Sequence, residues 1–227
     1  MTMNMKLLAM VVVIVLTCVS CGGGGNSAPL GVSAESADLF TYEFNAEYNG
    51  VVLRKYYGMK SSVKIPDKID DLPVVGIGAE CFAVGQVTEV YFPDTVKFFK
   101  WGWEKAAGAQ NMEVVVIPQG VTEIVDAAFY QFRSLKSVTI PDSVTEIGDA
   151  FNKCISLTNV EIPDSVTKID LSAFKNCTSL TNATYKGVSY KIKNKYENNI
   201  EYSNSLREFG IEEYYLPQEF YDAVNGK

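Results

Sequence analysis

Hydrophobic and polar positions follow one another along this chain in a pattern that returns every 22 or 23 residues through its centre. The segment "LKSVTIPDSVTEIGDAFNKCIS" begins at Leu135, and "LTNVEIPDSVTKIDLSAFKNCTS" begins at Leu157. A third unit, "MEVVVIPQGVTEIVDAAFYQFRS", begins at Met112. Looser units begin at Val87 ("VTEVYFPDTVKFFKWGW") and at Val63 ("VKIPDKIDDLPVVGIGAECF"). Before each marker proline the apolar residues alternate with others, as in Val138-Thr139-Ile140-Pro141. A period of two predicts a strand, and proline, which has no N–H for a ladder, ends it. The stretch from Asp149 to Cys154 is expected to make a short helical turn on the opposite side.

The marker prolines are Pro66, Pro93, Pro118, Pro141 and Pro163, spaced 27, 25, 23 and 22 residues apart. A sixth, degenerate unit opens at Leu180 as "LTNATY" and has no proline, which suits a terminal repeat. A period in this range signals a repeat solenoid of the leucine-rich-repeat kind. One coil cannot bury its own apolar face, so successive coils stack and share a core. Each apolar position then becomes a column. The columns are Val115/Val138/Val160, Ile117/Ile140/Ile162, Val121/Val144/Val166, Ile124/Ile147/Ile169 and Phe129/Phe151/Phe174. The expected fold is a β-dominated coil with one parallel β-sheet face and short helical turns.

The unit L-x-x-V-x-I-P-x-S-V-T-x-I, with A-F-x-x-C near its end, resembles the BspA-type leucine-rich repeats of bacterial surface proteins. The resemblance is strong from Met112 to Ser179 and extends loosely over roughly residues 60–190. It implies a right-handed solenoid displayed at a cell surface and used for binding.

The ends break the pattern. Lys6 precedes an apolar run of about 13 residues, Leu7 to Val19. That run is shorter than the roughly 20 residues of a membrane span, so residues 1–20 are expected to be a secretory signal peptide. Ser20-Cys21 followed by four glycines resembles a bacterial lipoprotein signal, which implies lipidation of Cys21. Cys18 as acceptor, or a plain secretory signal, are the other readings. Residues 21–38, rich in Gly, Ser and Ala, are expected to be a flexible tether with a reach of roughly 20–25 Å. Residues 39–193 form the solenoid of about six units. Residues 194–227, with seven tyrosines and phenylalanines, are expected to cap the solenoid's end or, alternatively, to cover part of its face.

Composition then removes whole classes of function. The chain has no histidine, so His-ligated zinc, Ser-His-Asp triads and Cys-His pairs are absent. Its net charge is −7 with no basic stripe, which argues against nucleic acid. No catalytic residue, cofactor or metal is expected. The carboxylates after the marker prolines (Asp67, Asp94, Asp142, Asp164) suit turns. A calcium ladder, the alternative, lacks the dense D-x-D pattern. Cys154 and Cys177 fall in one column with Phe132 and read as buried thiols. Coils about 4.8 Å apart would also allow a bridge between them. Cys81 reads as a small buried residue.

The outward strand positions define the face available to a partner. They pair as Ser62/Lys64, Glu89/Tyr91, Val114/Val116, Ser137/Thr139, Asn159/Glu161 and Asn182/Thr184. Tyr91, Val114 and Val116 form an apolar spot among small polar residues, and such spots mark contact sites. The irregular second unit adds Phe98, Phe99, Trp101 and Trp103 within six residues. Phe99 falls in a core slot, whereas Phe98, Trp101 and Trp103 are candidate ligand contacts. The expected function is adhesin-like binding of a protein partner from a host or neighbouring cell, at a surface reached through a lipid anchor on the membrane. A glycan held by aromatic side chains, or an envelope-structural role, are the alternatives.

Overall fold

Each copy of the repeated phrase builds one side of a coil in the computed structural model, which describes residues 32–78, 80–82, 87–100, 110–191, 193–194, 214–215 and 217–226. A hairpin of β1 (Phe40–Asn45) and β2 (Gly50–Tyr56) leads into the stack. The first coil carries β3 (Ser62–Lys64), β4 (Lys68–Ile69) and β5 (Leu72–Gly78), and the second carries β6 (Glu89–Tyr91) and β7 (Phe98–Lys100). The next three coils carry β8 (Val114–Val116) and β9 (Glu123–Ile124), β10 (Ser137–Thr139) and β11 (Glu146–Ile147), and β12 (Asn159–Ile162) and β13 (Lys168–Ile169). The last turns back through β14 (Asn182–Tyr185) and β15 (Val188–Lys191), then β16 (Lys193–Asn194), β17 (Tyr214–Tyr215) and a helix, Gln218–Asn225.

One face is a parallel ladder in the order β10-β8-β6-β3, continued by β12-β14. Its register aligns Val63, Val90, Val115 and Val138, and then Val160 with Ala183. The ladder is interrupted between β10 and β12, where the Thr158 N–H reaches the Lys136 carbonyl at 3.3 Å. A second side carries β9-β11-β13, aligning Ile124, Ile147 and Ile169. All of these apolar residues are buried. At about 1.5–3 kcal/mol per buried side chain, the shared core is what holds short strands of two to four residues in place.

The marker proline does more than end a strand. The carbonyls of Pro93, Pro118, Pro141 and Pro163 accept the N–H of Val96, Val121, Val144 and Val166, each at 3.1 Å. Two residues after the proline a hydroxyl reaches the coil before. Thr95, Ser143 and Ser165 donate to the carbonyls of Val74, Val121 and Val144 at 2.8, 2.7 and 2.8 Å. Gly120 takes this slot once, and a Cβ there would meet the carbonyl oxygens of Val96 and Asp94 at 2.2 and 2.3 Å. The carboxylates after the proline were expected to bond their own turns. Asp94 instead accepts the Gln119 N–H of the next coil at 3.1 Å.

On the far side the rings of Phe129, Phe151 and Phe174 stack with centroids 5.2 Å apart and planes within 6°. Between Asp149 and Cys154 the chain turns without forming a helix. Two of its donors go to the neighbouring coil rather than four residues back: the N–H of Phe151 reaches the Ala173 carbonyl at 2.9 Å, and that of Lys153 reaches the Lys175 carbonyl at 2.8 Å. Cys154 and Cys177 are buried free thiols. Each donates to the preceding coil's carbonyl, Phe129 or Phe151, at 3.1 Å, so no bridge joins them. Burial pushes the Cys154 and Cys81 thiols well up.

The two ends depart from the periodic reading. Within the span expected to be solenoid, Phe40–Tyr56 is an antiparallel hairpin whose β2 joins β5 in parallel. Within the segment expected to be tether, Glu35 is buried and bonded. Its carboxylate accepts from the Tyr56 hydroxyl at 3.0 Å and from Lys60 at 2.5 Å, and its N–H donates to the Lys64 carbonyl at 2.8 Å. At the other end the helix packs on β13, burying Phe220, Tyr221 and Val224. Asn225 clamps the last strand there. Its Oδ1 accepts the Ile169 N–H at 2.8 Å and its Nδ2 donates to the Ile169 carbonyl at 3.2 Å.

Candidate interaction face

The parallel ladder turns every second residue outward, so the face is set by the pleat. Ser62, Glu89, Val114 and Ser137 align in one outward row, and Lys64 pairs with Tyr91 in the next. Val114 is 38% exposed, and Val116 and Tyr91 are half-buried. Glu89 organises its neighbours. Its Oε2 accepts from Ser62 Oγ at 3.0 Å. Burial, and then the hydrogen bond to Glu89, raise the Tyr91 phenol well above its ordinary value. Tyr91 is therefore neutral and oriented, with its ring beside the strand of the two valines. Beyond them Ser137, Thr139, Asn159 and Glu161 are exposed. Asn182 Nδ2 donates to Asn159 Oδ1 at 2.9 Å, which ties the end of the face together.

The sequence candidates therefore divide. Tyr91, Val114 and Val116 share this face. Phe98 does not: β7 pairs with β5, in another ladder. Phe98 was expected to be exposed but is half-buried, because its ring lies over bare backbone at Gly76, where a Cβ would meet it at 2.4 Å. Phe99, expected in the core, is 3% exposed and lies 5.3 Å from the Phe129 ring. Trp101, Trp103 and the lipidation candidate Cys21 lie outside the described residues. The C-terminal helix sits on β13, a different ladder from that of Val114 and Val116.

Two depressions were not read from the sequence. One, of about 780 Å³, lies along β9-β11-β13 between Glu123, Glu146, Lys168 and Asn225. Three of its charged residues, Glu123, Glu146 and Lys168, occupy one slot of the phrase, just before the core isoleucine, and that regularity was available in the sequence. Lys168 pairs there with Glu146, which raises the lysine's pKa. The other depression adjoins the hairpin tip, where no periodicity points to it. Among the described residues no group of three or more His, Cys, Asp or Glu is placed to hold a metal.

Parallel coils, a shared core and a preformed polar face with one apolar spot define a leucine-rich-repeat protein. The family described as BspA type leucine rich repeat region matches residues 105–218 in six copies, and the chain belongs to it. That span leaves out the loose first units and runs past residue 190. Repeats of this kind suggest protein–protein interaction. Two solved structures are similar. A leucine-rich repeat protein of T. pallidum aligns with a TM-score of 0.59 at 28% identity, over 66% of this chain and 71% of that one. One from Bacteroides ovatus aligns with a TM-score of 0.53 at 31% identity, over 65% of this chain and 40% of that one. None of the curated proteins matches the chain.

Proposed function

We propose that this protein is an adhesin-like binder, anchored through lipid on Cys21 at the cell surface, whose sheet face takes a protein partner. The observation that carries this reading is the outward spot of Tyr91, Val114 and Val116 within a rigid face of small polar residues. Hydrogen bonds between successive coils hold that face in advance, so little ordering cost attends binding. Apolar and aromatic residues ringed by polar ones are the usual arrangement of an interface's energetic centre. The Ser-Cys-Gly signature supports the anchor.

The test is binding of the full chain to a panel of immobilised host extracellular proteins, beside a Val114→Glu/Val116→Glu variant. Two carboxylates forced into the contact are expected to weaken a specific interaction by about tenfold or more. Equal binding by the variant would remove the sheet face as the site, and binding to no member of the panel would sink the adhesin reading. For the anchor, mass spectrometry of the protein from its native envelope should find a diacylated or triacylated N-terminal Cys21.

A further inference from the structure

Beside the tip of the β1–β2 hairpin the first two coils leave a depression of about 490 Å³. One wall is Tyr48, 43% exposed, whose ring leans on Phe98 with centroids 5.5 Å apart. The tip is held in shape: Asn45 Oδ1 accepts the Tyr48 N–H at 3.0 Å, and Asn49 takes a left-handed φ of 45°. Val75, 3% exposed, contributes the apolar floor. The rim carries Asp67 and Asp94 from successive coils, with Thr95 and Lys97. The Thr95 hydroxyl donates its proton to the Val74 carbonyl at 2.8 Å, so toward the depression its oxygen is an acceptor.

The lining combines an aromatic plate backed by a second ring, an apolar floor, two carboxylate acceptors and one ammonium donor. An anion gains little, because two carboxylates face one lysine in a chain of net charge −7. A cation meets the Lys97 ammonium on the same rim. A neutral ligand with one flat C–H face and an edge of hydroxyls, which both donate and accept, matches every part. The volume lies within the range of small-molecule sites, roughly 300–1,000 Å³. We propose that this depression binds a hexopyranose unit of a glycan, with its C–H face on Tyr48 and its hydroxyls on Asp67, Asp94 and Lys97. The site is separate from the sheet face and involves none of Tyr91, Val114 and Val116.

Saturation-transfer NMR of the full chain with the methyl glycosides of glucose, galactose, mannose and N-acetylglucosamine tests it. At least one sugar should receive saturation, strongest on the ring protons of one face. Tyr48→Ala should weaken that binding about tenfold, the scale of one lost stacking contact. Tyr48→Phe, which keeps the ring, should retain it, and Asp67→Asn should weaken it while thermal unfolding is unchanged. The Val114→Glu/Val116→Glu variant should bind sugar as the unaltered chain does, so the two readings fail separately. The proposal is overturned if all four glycosides are silent, if Tyr48→Ala binds like the unaltered chain, or if lysine methyl ester binds in place of the sugars.

Discussion

A hydroxyl in one slot of the phrase ties a coil to the one before, and a missing Cβ in the same slot does the opposite job. Ser165 Oγ reaches the Val144 carbonyl at 2.8 Å, while Gly120 lets the Val96 and Asp94 carbonyls come so close that a Cβ would lie 2.2–2.3 Å from them. Ser165→Ala is expected to lower stability by about 1–2 kcal/mol, because it leaves a part-buried acceptor unpaired. Gly120→Ser brings in the residue the next two units carry and should still cost about 2–3 kcal/mol, since backbone rather than flexible side chain must yield. Urea midpoints of the two variants check this. A gain in stability from Gly120→Ser would mean that the repeat consensus, not the local approach of two coils, governs the slot. Ser143 and Ser165 were visible in the sequence as repeated letters, but their bonds were not, since a donor's partner 22 or 21 residues away depends on how the coils stack.

The elements are short because each gains its stability from neighbours in the stack rather than from its own length. At the amino end that neighbour is a buried carboxylate. Burial, and then the hydrogen bond and charge of Glu35, push the Tyr56 phenol up to about 12 from 10.0. A raised folded-state pKa means a contribution fully present below the unfolded value and lost as pH climbs from 10 through about 12. Tyr56→Phe should therefore flatten the alkaline limb of a stability–pH curve across that window. Glu35→Gln should shift the limb as well. Chemical denaturation at stepped pH measures both, and an unchanged limb in Tyr56→Phe would assign alkaline unfolding to another group. The strands of this region were legible as a weak repeat. The hairpin before them was not, because its partner strand β5 belongs to the first coil and no periodic copy announces the pairing.

Across the whole molecule, a stack of coils has two ends, and each exposes a strand edge able to recruit another chain. The carboxyl end is closed by the helix on β13, with Phe220 and Tyr221 inside and Asn225 bonded to both backbone groups of Ile169. Asn225→Ala should cost about 1–3 kcal/mol by orphaning those groups. Truncation before Gln218 should add self-association, visible by sedimentation. Unfolding of Asn225→Ala identical to that of the parent would show that apolar packing alone holds the cap. Several aromatic residues in the final 34 announced that something must be covered there, yet only one polar side chain at a non-repeating position makes the clamp.

The period, the strand that each proline ends, the buried columns and the outward rows could all be read from the order of residues, because every coil obeys the same local rule and the rule is written several times. It also singled out Tyr91, Val114 and Val116, since alternation along a strand is enough to say which side chains turn outward. The tertiary structure decided what is unique to one place. It set Phe98 over Gly76, docked Glu35, closed the carboxyl end with Asn225 and opened a depression beside Tyr48. Each of those rests on residues brought together from different coils or from the ends. Their contacts depend on the distance between backbones in the finished stack, which no single copy of the phrase contains.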